Sequence, residues 1–171
     1  MKSSQRTQRG FTLIELVVVI VLLGILASFA LPKFSDLTRE SRITVLNGIA
    51  GSMRATIGIV RSKAFVNGVS IAGSNPGNQA AYIVTTEAGT FEVDWRNLCP
   101  ESRAELGDAT TMAEQIGLTA SPDLNIITSN QYTRIGYDIQ GSGAPTASGC
   151  YVTYNSFGDP NCTVDVITTD C

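Results

Sequence analysis

The sequence predicts an α+β fold, one long N-terminal helix laid on an antiparallel sheet of four or five strands. Three observations predict it. Residues 11 to 31 form an apolar run whose one charge is Glu15. Between Leu46 and Ala64, apolar residues recur at helical spacing. Beyond residue 80 the chain changes to short alternating segments divided by turn residues, and all four cysteines lie in that half. The 171 residues suffice for one domain besides a membrane segment.

The N-terminal helix comes first. Residues 1 to 10 hold Lys2, Arg6 and Arg9 and no acid. From Phe11 to Leu31 the run is 21 residues, about 31 Å as a helix, enough to cross a bilayer. Bases ahead of such a run set that end on the cytoplasmic side. A secretory signal places its small-residue cleavage site after the apolar stretch. Here the small residue, Gly10, precedes it. A plain signal-anchor shares the basic start but has no use for Glu15, because a carboxylate inside a membrane-length segment is expensive and ordinarily has a partner. The remaining reading is a leader cut after Gly10, which leaves Phe11 as a new N-terminus four residues from Glu15.

Gly10-Phe11-Thr12-Leu13-Ile14-Glu15, ahead of Leu16-Val17-Val18-Val19-Ile20, resembles the class III signal of type IV pilins and type II secretion pseudopilins. The short leader and the Phe at the cut resemble type IVa pilins. The run from Gly10 to Ala27, with Cys150-Tyr151-Val152-Thr153-Tyr154, is most similar to major pilins of the mannose-sensitive haemagglutinin (MSHA) type. The strong part covers about residues 9 to 33, and the middle of the chain carries no motif. The resemblance implies the type IV pilin fold: a cleaved leader (1–10), a transmembrane and assembly helix (11–32), an amphipathic stem (33–64) and a globular head (65–171) with a C-terminal region at 150–171. It implies a prepilin peptidase that cuts between Gly10 and Phe11 and N-methylates Phe11, and an inner-membrane assembly platform. The precursor would cross the inner membrane once with its N-terminus cytoplasmic. The mature chain would polymerise with itself into a surface filament for adhesion, aggregation or biofilm formation.

Physical chemistry suits these implied roles. Ionised and alone in hydrocarbon, Glu15 is strongly disfavoured. The amine of a neighbouring subunit's Phe11 would neutralise it and fix one stagger between subunits. The plainer alternative is a protonated Glu15 with only a local role. Pro32 removes a backbone donor, so a kink is expected there, and Gly24 weakens the helix as well. In type IVa pilins the stretch between the corresponding glycine and proline can lose helical order in the fibre. Gly24 to Pro32 is therefore the expected melting segment.

The stem pattern stays helical to about Lys63. Leu46, Ile49, Met53, Ile57, Val60 and Ala64 form a large stripe, expected to bury against the sheet. Gly48, Gly51, Ala55, Gly58 and Ser62 form a small stripe on the opposite side, where a neighbouring subunit could approach closely. Residues 33 to 64 carry a net +4 and residues 65 to 171 a net −9. Such a split suggests that the stem of one subunit meets the heads of others. The stem is sparse and lacks interleaved aromatics, so nucleic acid is not an expected partner.

The head begins with a Gly/Asn/Ser-rich loop from 65 to about 80. Strand candidates are Ala81–Thr86, Thr90–Trp95, Thr133–Ile139, Cys150–Ser156 and Cys162–Thr168, with Glu87-Ala88-Gly89 turning the first pair. Glu101 to Gly117 reads as a short helix or compact loop. Residues 99–130 and 140–149 are candidate contact loops. Tyr132, Tyr137, Tyr151 and Tyr154 read as sheet residues.

Four cysteines in an exported domain read as two disulfides, with three possible connectivities. Folding the C-terminal segment at Gly158-Asp159-Pro160-Asn161 brings Cys150 close to the chain end. This favours Cys150–Cys171 and leaves Cys99–Cys162. The first pair resembles the disulfide that bounds the C-terminal region of type IV pilins.

Catalysis is not expected. The chain has no His, hence no Ser-His or Cys-His pair. Gly141-x-Gly143 lacks the third glycine of a dinucleotide fingerprint. No Cys-x-x-Cys suggests zinc, and neither metal nor cofactor is expected. Two alternatives to a pilus subunit remain. A type II secretion pseudopilin of the major type would carry a C-terminal calcium loop, whereas Asp159, Asp165 and Asp170 are not clustered like one. A membrane-anchored adhesin that never polymerises would tolerate loss of Glu15.

Overall fold

The structure, a computed structural model, describes residues 11–171 apart from 88, 106–108, 142 and 159. Gly10 and the leader lie outside the described residues, as does Asp159 of the expected C-terminal turn. The described chain falls into two units, residues 11–40 and 41–171.

Helix α1 runs from Leu13 to Val66. Its backbone stays helical through Gly24 and Pro32, so neither residue interrupts it in this state. A proline costs one intrahelical bond, and about five turns of mostly apolar helix before it and a good helical sequence after it outweigh that loss. The helix ends where Gly68 adopts φ +77°, open to glycine at little cost. There Gly68 N–H donates to Phe65 O and Val69 N–H to Ala64 O, so two terminal carbonyls are satisfied.

The unit of residues 41–171 packs the second half of α1 onto two sheets. A short 3-10 turn, Gln79–Tyr82, leads into β1 (Ile83–Thr86), which pairs antiparallel with β2 (Gly89–Glu92). A four-residue helix α2 (Met112–Gln115) follows, its start fixed by a reciprocal Thr111–Glu114 capping box. Then come β3 (Asn125–Thr128), β4 (Tyr132–Ile139), β5 (Gly149–Asn155) and β6 (Thr163–Ile167), an antiparallel sheet in sequence order.

The α+β class and the antiparallel sheet are those read from the sequence, but the strand membership differs. The first hairpin stands apart as its own two-stranded sheet. The outer edge of β2 is occupied by the chain that follows it: Glu101 N–H donates to Glu92 O, and Thr110 N–H to Thr90 O. No edge is left there for the main sheet. β3 takes the missing place beside β4. Four residues after a Ser-Pro-Asp turn are too short to show a period.

The large stripe of α1 serves both sheets. Leu46, Ile49, Ala50 and Met53 pack with Ile135, Val152 and Tyr154 of the main sheet. Val60 and Ala64 pack with Tyr82, Val84, Phe91 and Leu98 around the hairpin. Burying Leu46 or Met53 fully contributes about 1.5–3 kcal/mol each. Two disulfides close the head, Cys99–Cys162 and Cys150–Cys171.

Candidate functional site: an uncovered apolar helix and the exposed small-residue face of the stem

In the N-terminal unit, Leu13–Ala30 is an 18-residue stretch long and apolar enough to cross a membrane, and none of it is buried. Phe11 is 89% exposed, and Leu13 to Phe29 present their side chains on every side. Such a surface is stable only in lipid or against other protein.

Glu15 sits in the first turn of α1. Thr12 N–H and the Thr12 hydroxyl both donate to its Oε2, at 2.9 and 2.7 Å. Glu15 N–H donates back to Thr12 Oγ1 at 3.3 Å. This reciprocal pattern is a capping box, which satisfies donors that a helix start leaves orphaned. Both side-chain bonds end on Oε2. A shallow notch beside the carboxylate is lined by Phe11, Ile14, Val18 and Val19. The structure thus gives Glu15 a local partner, Thr12, and places Phe11 at the same end. The Thr12-x-x-Glu15 spacing ahead of an apolar run was a readable signal for that box.

In the second unit, the small stripe faces outward. Gly48, Gly51, Ala55, Gly58 and Ser62 are all exposed, and a Cβ placed on Gly48, Gly51 or Gly58 would meet nothing within 4 Å. A groove runs alongside, bounded by Arg54, Ile59, Lys63 and Val66 of α1 and by Thr86 and Glu87 at the hairpin turn. Two basic stem residues make contacts inside the same unit, and a third is partly buried. Arg42 lies over the Tyr137 ring at 5.1 Å. Arg54 Nη2 donates to Val164 O at 2.8 Å. Arg61 is half-buried. These engagements reduce the stem charge left for neighbouring heads.

A buried polar knot beside Cys99 was not legible in the sequence. Val93 bridges to Pro100, so residues 94–99 form a tight loop. Within it Asp94 pairs with Arg96 at 2.6 Å, and the Arg96 guanidinium stacks between Trp95 and Phe157. Asn97, fully buried, donates to Ser156 O and Gly158 O and accepts from Cys99 N–H. Tyr154 O–H donates to Pro100 O, and burial holds that phenol well above its ordinary range. Glu101 is buried with Glu92, Asp94 and Glu105 around it. Burial first, and then those three carboxylates, push it up to about 8, against a smaller lowering by Arg96. The four tyrosines of the main sheet divide: Tyr151 and Tyr154 are fully buried, while Tyr132 and Tyr137 are half-exposed. No cluster of metal-ligating side chains occurs among the described residues.

Residues 5–31 match the family model described as the prokaryotic N-terminal methylation motif. The chain is 40% identical over 53 residues to a fimbrial protein of Eikenella corrodens, covering 31% of this chain and 35% of that protein. It is 41% identical over 56 residues to the major component of a type IV narrow pilus of Thermus thermophilus, covering 33% of this chain and 48% of the relative. To a type IV major alpha-pilin of Moraxella bovis it is 51% identical over 41 residues, covering 24% and 26%. The chain thus spans about a quarter to half the length of these curated relatives. No solved structure matches. The likeness to these pilins and fimbrial proteins lies in the N-terminal third of the chain, the part that holds the methylation motif and the uncovered apolar helix.

Proposed function

We propose that the chain is a structural subunit of a type IV pilus that polymerises through the N-terminal half of α1. One observation carries this reading most: an apolar helix exposed on all sides that begins with a carboxylate. A soluble protein would have to cover it, and a plain anchor would do without the acid. The relatives are named as pilins and fimbrial proteins, which supports a structural rather than a catalytic role.

In this reading a prepilin peptidase cuts after Gly10 and methylates Phe11, and an inner-membrane platform drives assembly. The precursor spans the inner membrane once, and the mature chain leaves it for a filament on the cell surface. Thr12 holds Oε2 of Glu15 while the carboxylate offers Oε1 to the Phe11 amine of the next subunit. The exposed face at Gly48, Gly51 and Gly58 receives the closest approach of neighbouring protomers. Gly24 to Pro32 is the segment that extends in the fibre. Resemblance at Gly10–Ala27 and Cys150–Tyr154 favours the MSHA type, with roles in adhesion, aggregation or biofilm formation.

Glu15→Gln tests the reading. Precursor should accumulate in the membrane at its normal level while sheared filaments fall at least tenfold. Normal filament yield from Glu15→Gln would remove the register role of the acid.

A further inference from the structure

Arg134 heads the fully buried side chains of the head by size, with 1% of its surface exposed. It lies on β4 opposite Thr153 of β5 and Ile127 of β3. Side chains alternate along a strand. Ile135 and Val152 face the α1 core, so Arg134 and Thr153 share the other face. Its Nη1 donates to Gln140 O at 3.2 Å and Gly141 O at 3.1 Å. The two remaining nitrogens, Nε and Nη2, are buried without a hydrogen-bond partner, and so is Thr153 Oγ1. Tyr151, on the same face, is satisfied instead: its hydroxyl donates to Thr146 O and accepts from Thr146 N–H. Neither the Arg39–Glu40 nor the Arg96–Asp94 ion pair reaches Arg134.

A buried guanidinium without a counter-charge is costly. The free nitrogens specify what would match it. Nη1 is tethered to the chain, and Nε and Nη2 together make one complete edge of the guanidinium. That edge presents two parallel N–H donors, the fork that takes two oxygens of a carboxylate or phosphate. The Thr153 hydroxyl, directly across the β4–β5 register, is a third donor.

We propose that the Nε–Nη2 edge of Arg134 and the hydroxyl of Thr153 form a site for a small oxyanion of the carboxylate or phosphate class, enclosed as the head folds. The anion neutralises the one buried charge on this face and ties β4 to β5 on the side away from α1.

The full chain in neutral detergent, exchanged into a chloride buffer without oxyanions, tests the site by thermal unfolding. Acetate and inorganic phosphate are the probes, and added chloride at equal ionic strength is the control. Wild type should gain about 3–6 °C in Tm at roughly tenfold excess over Kd, and the gain should saturate. Arg134→Lys keeps the charge but loses the fork, and should lose the saturable gain. Thr153→Val should weaken the apparent affinity about tenfold, the worth of one hydrogen bond to a charged group, and serves alone if Arg134→Lys does not fold. An unsaturable rise shared by both variants and by chloride, or a filament map with water alone against the Nε–Nη2 edge, would overturn the site.

Discussion

The exposed small-residue face makes one prediction with two opposite signs. Gly51→Ala and Gly58→Ala each place a methyl where nothing lies within 4 Å. Neither position has a positive φ, so no backbone conformation is lost. Replacing glycine by alanine in a helix interior gains about 0.8–1 kcal/mol, so the pair should stabilise the isolated chain by about 2 kcal/mol. In a domain of this size that is about 4–8 °C in Tm. Assembly should move the other way if a neighbour closes on this face. A methyl at a close helix contact forces the backbones apart and forfeits dispersion contacts along the whole seam. The assay pairs circular-dichroism melts of the detergent-solubilised chain with filament yield after shearing. Gly58→Leu keeps most of the stability gain, because leucine is nearly as good a helix former as alanine, and enlarges the assembly defect. A variant that is more stable yet assembles normally would refute close packing at this face. A variant that is less stable would refute the openness of the face in the single chain.

Other outcomes follow from the same structure. Thr12→Val removes the hydroxyl that donates to Glu15 Oε2 and caps Glu15 N–H; the helix start should lose about 1 kcal/mol, seen as faster amide exchange over Leu13–Leu16 in detergent. Glu101 stays protonated in the folded head up to about 8, whereas the unfolded chain ionises it near its ordinary 4.5. The unfolded state therefore binds fewer protons in that window, so stability should fall as pH rises through it, by at most about 1.4 kcal/mol per pH unit. Glu101→Gln should flatten that slope in urea titrations across the window, and an unchanged slope would count against the buried acid. Cys99–Cys162 spans 63 residues and Cys150–Cys171 spans 21. On chain entropy their removal should cost about 4 and about 3 kcal/mol, so the Cys99→Ala/Cys162→Ala pair should show the lower urea midpoint.

The parts of this chain that repeat were the legible parts. The stripe Leu46, Ile49, Met53, Ile57, Val60, Ala64 follows the helical period and is buried apart from the half-buried Ile57, while Gly48, Gly51 and Gly58 follow it on the other side and are exposed. β4, β5 and β6 run for five to eight residues and lie within two residues of where the sequence pattern put them. Signals weaker than a period were missed. β3 is four residues and borrows its edge from β4. The hairpin β1–β2 was rightly paired, but its separation from the main sheet depends on Glu101 and Thr110 taking the β2 edge, a contact made in space rather than in sequence. The polar knot is of the same kind. Glu92, Asp94 and Glu101 look like scattered surface acids until Val93 bridges Pro100 and brings them together. Arg134 likewise reads as an ordinary strand cation, and only the fold reveals that it is enclosed.

The most direct measurement is the intact mass of the chain recovered from sheared surface filaments, alongside electron micrographs of the same sample. The account predicts fibres built of a chain that begins at a methylated Phe11 and carries both disulfides. A chain found only in the membrane fraction, with residues 1–10 still attached and no fibres on the cell, would contradict it.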